Sequence, residues 1–232
     1  MTSPRTLVLF DIDGTLVHTG RAGLRGMNAA IGRLFGRAGA MNAVPFAGRT
    51  DRAIVSDVLR QLGRGIADED VFHVRQAYLE DLAIEITRPP VGDFGVLPGI
   101  APLLDALHAD PAVVVALLTG NFEGGAAIKL GHFDLWRRFD FGAFGDHHED
   151  RRCLVPVALE RARDISGLSF APARVVVIGD TPLDVDCARA HGARAIAVAT
   201  GPFGVEALAE AGAHLAVESL EDTTRVVEWV RQ

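Results

Sequence analysis

Residues Leu7 to Val17 read LVLFDIDGTLV, and no stretch constrains the chain more. Four consecutive apolar residues, Leu7 to Phe10, stop at Asp11, and Asp13, Gly14 and Thr15 follow. A short continuous apolar run that ends in a polar cluster reads as a strand buried on both faces of a parallel sheet. In open α/β sheets, ligands bind at the carboxyl ends of such strands. Asp11 and Asp13 are therefore expected side by side at a strand's exit. Carboxylates that close repel each other unless a proton or cation lies between them, and compact oxygen ligands suit Mg²⁺. Asp-x-Asp-Gly is also ordinary turn chemistry, so the downstream sequence has to decide.

After Val17 the texture changes. Leu24, Met27, Ala30, Ile31 and Leu34 form one face of a helix predicted over 21–35. Phe46 to Asp51, FAGRTD, reads as a loop whose Thr50 or Asp51 caps a helix carrying Ile54, Val55, Val58, Leu59 and Leu62. A third helix is predicted over 68–87, before Pro89 and Pro90 break the chain. Residues 18–91 are thus expected to form an all-helical insertion. Residues 1–17 and 92–232 supply an α/β core. There, strands are predicted at 113–118, 139–144, 174–178, 195–198 and 214–217, with helices at 101–108, 123–130, 153–163 and 220–230 and one more leading to His191. Such alternation predicts a parallel sheet covered on both faces.

Three strands share one grammar. The first ends in Asp11 and Asp13, the second in Thr119-Gly120-Asn121, and the third in Asp180, with Asp184 four residues on. In a parallel sheet all of these meet at one edge. Acidic groups around a cation, beside hydroxyl and backbone N–H donors around an anion, suit a phosphate ester with Mg²⁺. The roles follow from position. Asp11 is the candidate nucleophile and Asp13 the candidate acid–base. Asp180 joins Asp11 and Asp13 at the metal, and Asp184 supports it from behind. Thr119 and the amides of Gly120 and Asn121 are expected on the phosphoryl oxygens.

DIDGT, LLTGN and IGDTPLD, in this order, resemble the motifs of the haloacid dehalogenase-like superfamily of aspartate-nucleophile phosphatases. LPGI before the helix at Ala101, and FAGRTD in the insertion, resemble the branch with phosphoglycolate phosphatases and β-phosphoglucomutase. The resemblance implies a Rossmann-like core with a small helical cap, Mg²⁺, and a phospho-aspartyl intermediate on Asp11. It also implies that Arg49, in the cap loop, meets the substrate. The implied activity is hydrolysis of a small phosphomonoester, phosphoglycolate-like or a sugar phosphate. The alternatives are a phosphosugar mutase and a binding protein that has lost catalysis. One motif departs: the family's lysine before the third acidic strand is missing, and the stretch reads His148-Glu149-Asp150-Arg151-Arg152-Cys153. Arg151 is the first candidate for that cation and Arg152 the second. Lys129, the chain's only lysine, is a further candidate from the helix after Thr119. His147 and His148 are expected in a solvated loop.

A formal charge of −7 argues against a general nucleic-acid binder. Two cysteines, Cys153 and Cys187, make no disulfide framework and fit a reducing cytoplasm. No signal peptide and no membrane span is read from the sequence. The expected partner is a small phosphorylated metabolite, and the expected assembly a monomer or homodimer.

Overall fold

The structure is a computed structural model that describes residues 5–232. Its centre is β1 (Thr6–Phe10), flanked by β4 (Val113–Leu118) on one side and β6 (Val175–Gly179) on the other. The sheet continues outward to β5 (Gly142–Ala143) beyond β4, and to β7 (Arg194–Val198) and β8 (Leu215–Val217) beyond β6. All five pairings are parallel. The apolar run of β1 is explained by where its faces go. Val8 and Phe10 enter a core layer with α4 (Ile100–His108) and α9 (Thr223–Arg231); Leu7 and Leu9 enter another with α6 (Leu154–Ser166) and α7 (Pro182–Arg189). With no wet face, alternation has no purpose, so the strand is apolar throughout.

Between β1 and β4 the chain builds α1 (Ala22–Phe35), α2 (Asp51–Gln61) and α3 (Asp68–Glu85). These helices share a separate apolar cluster around Met27, Ile31, Leu59 and Leu82. Phe122, at the start of α5 (Glu123–His132), enters that cluster and meets Tyr78, ring centroids 6.3 Å apart. Arg25 ties α1 to α3 through Glu85 Oε2 at 2.7 Å and also donates to the Gly20 carbonyl. Thr50 caps α2, its side chain accepting from Ala53 N.

The structure differs from the sequence expectation in three places. Val17–Thr19 and Phe94–Val96 form a two-stranded antiparallel ribbon, β2 and β3, where the chain enters and leaves the helical block. Three residues per strand are too few for a periodic signal. The strand expected over 139–144 shrinks to β5 at the sheet's edge, preceded by a single 3₁₀ turn at Trp136–Arg138. A six-residue helix, α8 (Val205–Glu210), fills the connection from β7 to β8. Among the described residues, no helix is long and apolar enough to cross a membrane.

Candidate active site

Parallel strands align their ends, so the polar residues after β1, β4 and β6 converge. Asp11 receives its backbone position from β6: its N–H donates to the Ile178 carbonyl at 2.9 Å. Carboxylate oxygens of Asp11, Asp180 and Asp184 lie within 4.8 Å of one another, and all three residues are buried. Gly14 has φ +78°, and a Cβ there would overlap the Asp180 carboxylate, so only glycine lets the turn after β1 pass this close. Thr15 Oγ1 donates to Asp180 Oδ1 at 3.3 Å, and Thr200 Oγ1 donates to the Gly14 carbonyl at 2.5 Å. Neither threonine was singled out from the sequence.

Among the described residues, one cation faces this trio. Arg151 is 5% exposed; its Nη2 lies 2.5 Å from Asp184 Oδ1 and 3.2 Å from Asp11 Oδ1, and its Nη1 donates to the Gly48 carbonyl at 2.9 Å. Its Nε is buried without a hydrogen-bond partner. Burial works against the arginine's charge, but Asp11 and Asp184 more than offset this and hold its pKa above the ordinary value. Arg152, the second candidate, points the other way and is exposed, paired with Asp150 at 2.8 Å.

Three carboxylates against one guanidinium leave two uncompensated negative charges if all are ionised. The protein responds through its acidities. Burial, opposed by Arg151 and reinforced by Asp184, pushes Asp11 up to about 6. Burial and the charges of Asp184 and Asp11 push Asp180 well above the carboxylate range. A buried all-oxygen donor set with an excess of two negative charges fits a small divalent cation such as Mg²⁺. Asp184 sits within the trio, and its Oδ2 accepts from Thr181 N at 3.0 Å and Thr181 Oγ1 at 2.7 Å, the capping box of α7.

Asp13 stands apart from the carboxylates expected beside it. Its Oδ2 accepts from Lys129 Nζ at 2.6 Å and from Asn121 Nδ2 at 2.9 Å. Lys129 Nζ also donates to Asn121 Oδ1 at 2.6 Å, and the lysine is 5% exposed. The half-exposed Asp13 carboxylate thus pairs with a buried cation and not with the trio. Thr119 Oγ1 accepts from Asn121 Nδ2 at 2.8 Å and Asn121 N at 3.3 Å, which leaves the hydroxyl proton free to donate.

The helical block presses on this edge through the loop before α2. Asp51 N donates to the Gly120 carbonyl at 2.6 Å, and Phe122 N donates back to Asp51 Oδ2 at 2.9 Å. Asp51 thus caps the start of α5, a helix from the other side of the interface. A Cβ on Gly120 would overlap the Arg49 carbonyl. The Arg49 side chain lines the cavity, but its Nη2 pairs with Asp57 Oδ2 at 2.7 Å and its Nη1 donates to the Pro45 carbonyl at 3.0 Å. Tyr78, the chain's one tyrosine, also lines the cavity; burial, then the charges of Asp51 and Asp13, raise its hydroxyl's pKa well above the ordinary value.

Asp51 gives a pH signature. Burial pushes its pKa up to about 6 against the pull of Lys129. A carboxyl whose folded pKa exceeds its unfolded one holds a proton in the fold that the unfolded chain releases. Its contribution is therefore complete below about pH 4 and is lost as pH rises to about 6. Asp51→Asn keeps an oxygen for Phe122 N and removes the titration. Metal-free urea midpoints of the variant, relative to wild type, are expected to improve between pH 4 and pH 7; parallel profiles would contradict this.

The comparisons with known proteins bear on these features. The family model for haloacid dehalogenase-like hydrolases matches residues 8–189. A tyrosine-protein kinase, PtkA of Mycobacterium tuberculosis, is 29% identical over 198 residues, 84% of this chain. This chain spans only 62% of that relative's length. A phosphoglycolate phosphatase of Rhodospirillum rubrum is 28% identical over 231 residues, covering 96% of this chain and 90% of the relative. Among solved structures, CbbY from Rhodobacter sphaeroides in complex with phosphate superposes with a TM-score of 0.68 at 19% identity. That match covers 94% of this chain and 96% of the other.

Proposed function

The chain belongs to the haloacid dehalogenase-like hydrolases, and from that premise we propose that it is a Mg²⁺-dependent phosphatase acting on a phosphomonoester through an aspartyl-phosphate on Asp11. The observation that carries this reading is the buried trio of Asp11, Asp180 and Asp184 against the single guanidinium of Arg151, at the carboxyl edge of a parallel sheet. The phosphatase relative that matches nearly end to end and the phosphate held by a solved protein of the same fold support it.

Each group has a part. Asp11 attacks phosphorus with one carboxylate oxygen, and the bond to the ester oxygen breaks. Asp13, held by Lys129 and Asn121 at the rim, donates the proton that the departing alkoxide needs. It then takes a proton from the water that hydrolyses the aspartyl-phosphate. Thr119 and the backbone amide of Gly120 hold the phosphoryl oxygens, with Arg151 beside Asp11 and the Asn121 N–H turned to the Thr119 hydroxyl instead. Asp11 and Asp180 would hold Mg²⁺, with Asp184 turned toward Arg151 and Thr181. When bound, the cation offsets the charge of these acids and of the phosphoryl group. The helical block covers the site and limits entry of water.

The test is phosphate release from a panel of phosphomonoesters with Mg²⁺ and with a chelator. Sustained release that needs Mg²⁺ is expected. Absence of release across the panel overturns the reading. A burst without sustained release moves the site to the alternative, phosphoryl transfer within a phosphosugar.

A further inference from the structure

The site opens into a cavity of about 810 Å³ between the sheet edge and the helical block, more than a phosphoryl group fills. Four cations line it, and three are committed. Lys129 is held by Asp13, Arg151 by Asp184 and Asp11, and Arg49 by Asp57. The fourth, Arg21, is exposed where the ribbon meets α1. Among the described residues its guanidinium makes no hydrogen bond or ion pair, Asp93 on the same lining included.

Nothing in the fold calls for an arginine there. Its φ is +62°, where a β-carbon is strained and glycine or asparagine sits more easily. It stands at the N-cap of α1 without a side-chain cap bond, and the first turn of α1 has no acidic residue. A cation at a helix N-terminus has the wrong sign for the helix dipole. The N–H groups of Ala22, Gly23 and Leu24 have no partner within the helix, and Gly23 and Leu24 line the cavity.

A second observation, independent of the helix, points to the same ligand chemistry. Tyr78 is 2% exposed and lines the cavity, yet its hydroxyl has no hydrogen-bond partner among the described residues. A Cβ on Gly23 would stand 3.5 Å from that hydroxyl and 3.2 Å from Lys129 Nζ, so both groups meet beside the first turn of α1. Lys129 spends two of its three N–H bonds on Asp13 and Asn121. The phenol's raised pKa keeps its proton in place for donation. Every group gathered here is a donor, and the match for such a set is an anion.

Resting on the phosphatase reading, we infer that the alcohol part of the substrate carries a second anionic group, a carboxylate or a second phosphoryl, bound by Arg21 with the first N–H groups of α1 and the Tyr78 hydroxyl. The test compares kcat/KM, with Mg²⁺, within two pairs of esters. 2-Phosphoglycolate against the phosphate ester of glycolamide reads a carboxylate. Propane-1,3-diyl bisphosphate against 3-hydroxypropyl phosphate reads a second phosphoryl group. An amide withdraws electrons at least as strongly as a carboxylate, so leaving-group chemistry does not favour the anion in the first pair. The anionic member of at least one pair is expected to lead by about tenfold or more, the scale of hydrogen bonds to a charged group. Arg21→Asn removes the charge and suits the positive φ, and it is expected to lower that lead about fivefold or more. Tyr78→Phe, which keeps the ring, is expected to lower it about threefold. No lead in either pair, or a lead unchanged in either variant, overturns the inference and leaves the phosphatase reading standing. Release from no ester at all removes both.

Discussion

Asp11→Asn is expected to abolish turnover, by about 10⁴-fold or more, while the fold becomes no weaker. The activity loss follows from the role: an amide oxygen is a poor nucleophile toward phosphorus, and losing a nucleophile costs several orders of magnitude. The stability side follows from burial. Asp11 is 5% exposed, and its pKa is pushed up to about 6, so its ionised form costs the metal-free fold about 3 kcal/mol near pH 7. Replacing it with a neutral side chain of the same shape removes that cost. The folded pKa exceeds the unfolded one, so the benefit grows as pH rises from about 4 to about 6 and is complete above that. Urea midpoints with a chelator, at pH 4.5 and pH 7, check the sign. A variant that loses activity together with several kcal/mol of stability would point to fold damage instead.

The second large effect belongs to Arg151. Arg151→Met keeps the bulk and removes the only cation that faces the trio among the described residues. Asp184 loses a partner at 2.5 Å, Asp11 one at 3.2 Å, and the Gly48 carbonyl its donor. Removing one partner of a buried ion pair typically costs about 3–5 kcal/mol, because the remaining charge is stranded. The deficit is expected to be larger at pH 7, where Asp11 is ionised, than at pH 4, where Asp11 holds its proton. Phosphate release is expected to fall about 10²–10³-fold, the scale of losing a group that stabilises transition-state charge. Arg151→Lys keeps the charge but not the fork that serves Asp184 and Gly48 together, so it is expected to recover only part of either loss. A variant with wild-type midpoints at pH 7 would contradict the assignment of Arg151 as the trio's counter-charge.

Much of this arrangement is written in local sequence. Leu7–Phe10, Val113–Leu118 and Val175–Ile178 are apolar without alternation because both faces of their strands are covered, and each run stops where its polar residues begin. Strand ends in a parallel sheet share one edge, so Asp11, Thr119 and Asp180 could be grouped before any coordinates. Lys129 is legible only as a further candidate, because it lies well down α5 and only its long side chain can reach the strand ends. A signal was present all the same: Ala126, Lys129 and Leu130 share the buried stripe of α5, and a lysine on an apolar stripe needs an acid within reach. Asp51 left no such trace. It caps α5 across 71 residues of sequence, and capping patterns are read only within a few residues of the helix they serve. Arg49 could be assigned to the cavity, but its pairing with Asp57, eight residues on, depends on how the loop turns before α2. The ribbon of β2 and β3 was invisible because three-residue strands carry no period.

The most direct test of the account is to trap the intermediate. Wild-type protein with Mg²⁺ and a hydrolysable ester is acid-quenched during turnover and reduced with borohydride, which converts an aspartyl-phosphate to homoserine. Peptide mass spectrometry is expected to find homoserine at position 11 and nowhere else, and none in Asp11→Asn. Turnover with no trapped residue, or with the mark at Asp13, Asp180 or Asp184, would contradict Asp11 as the group that takes the phosphoryl.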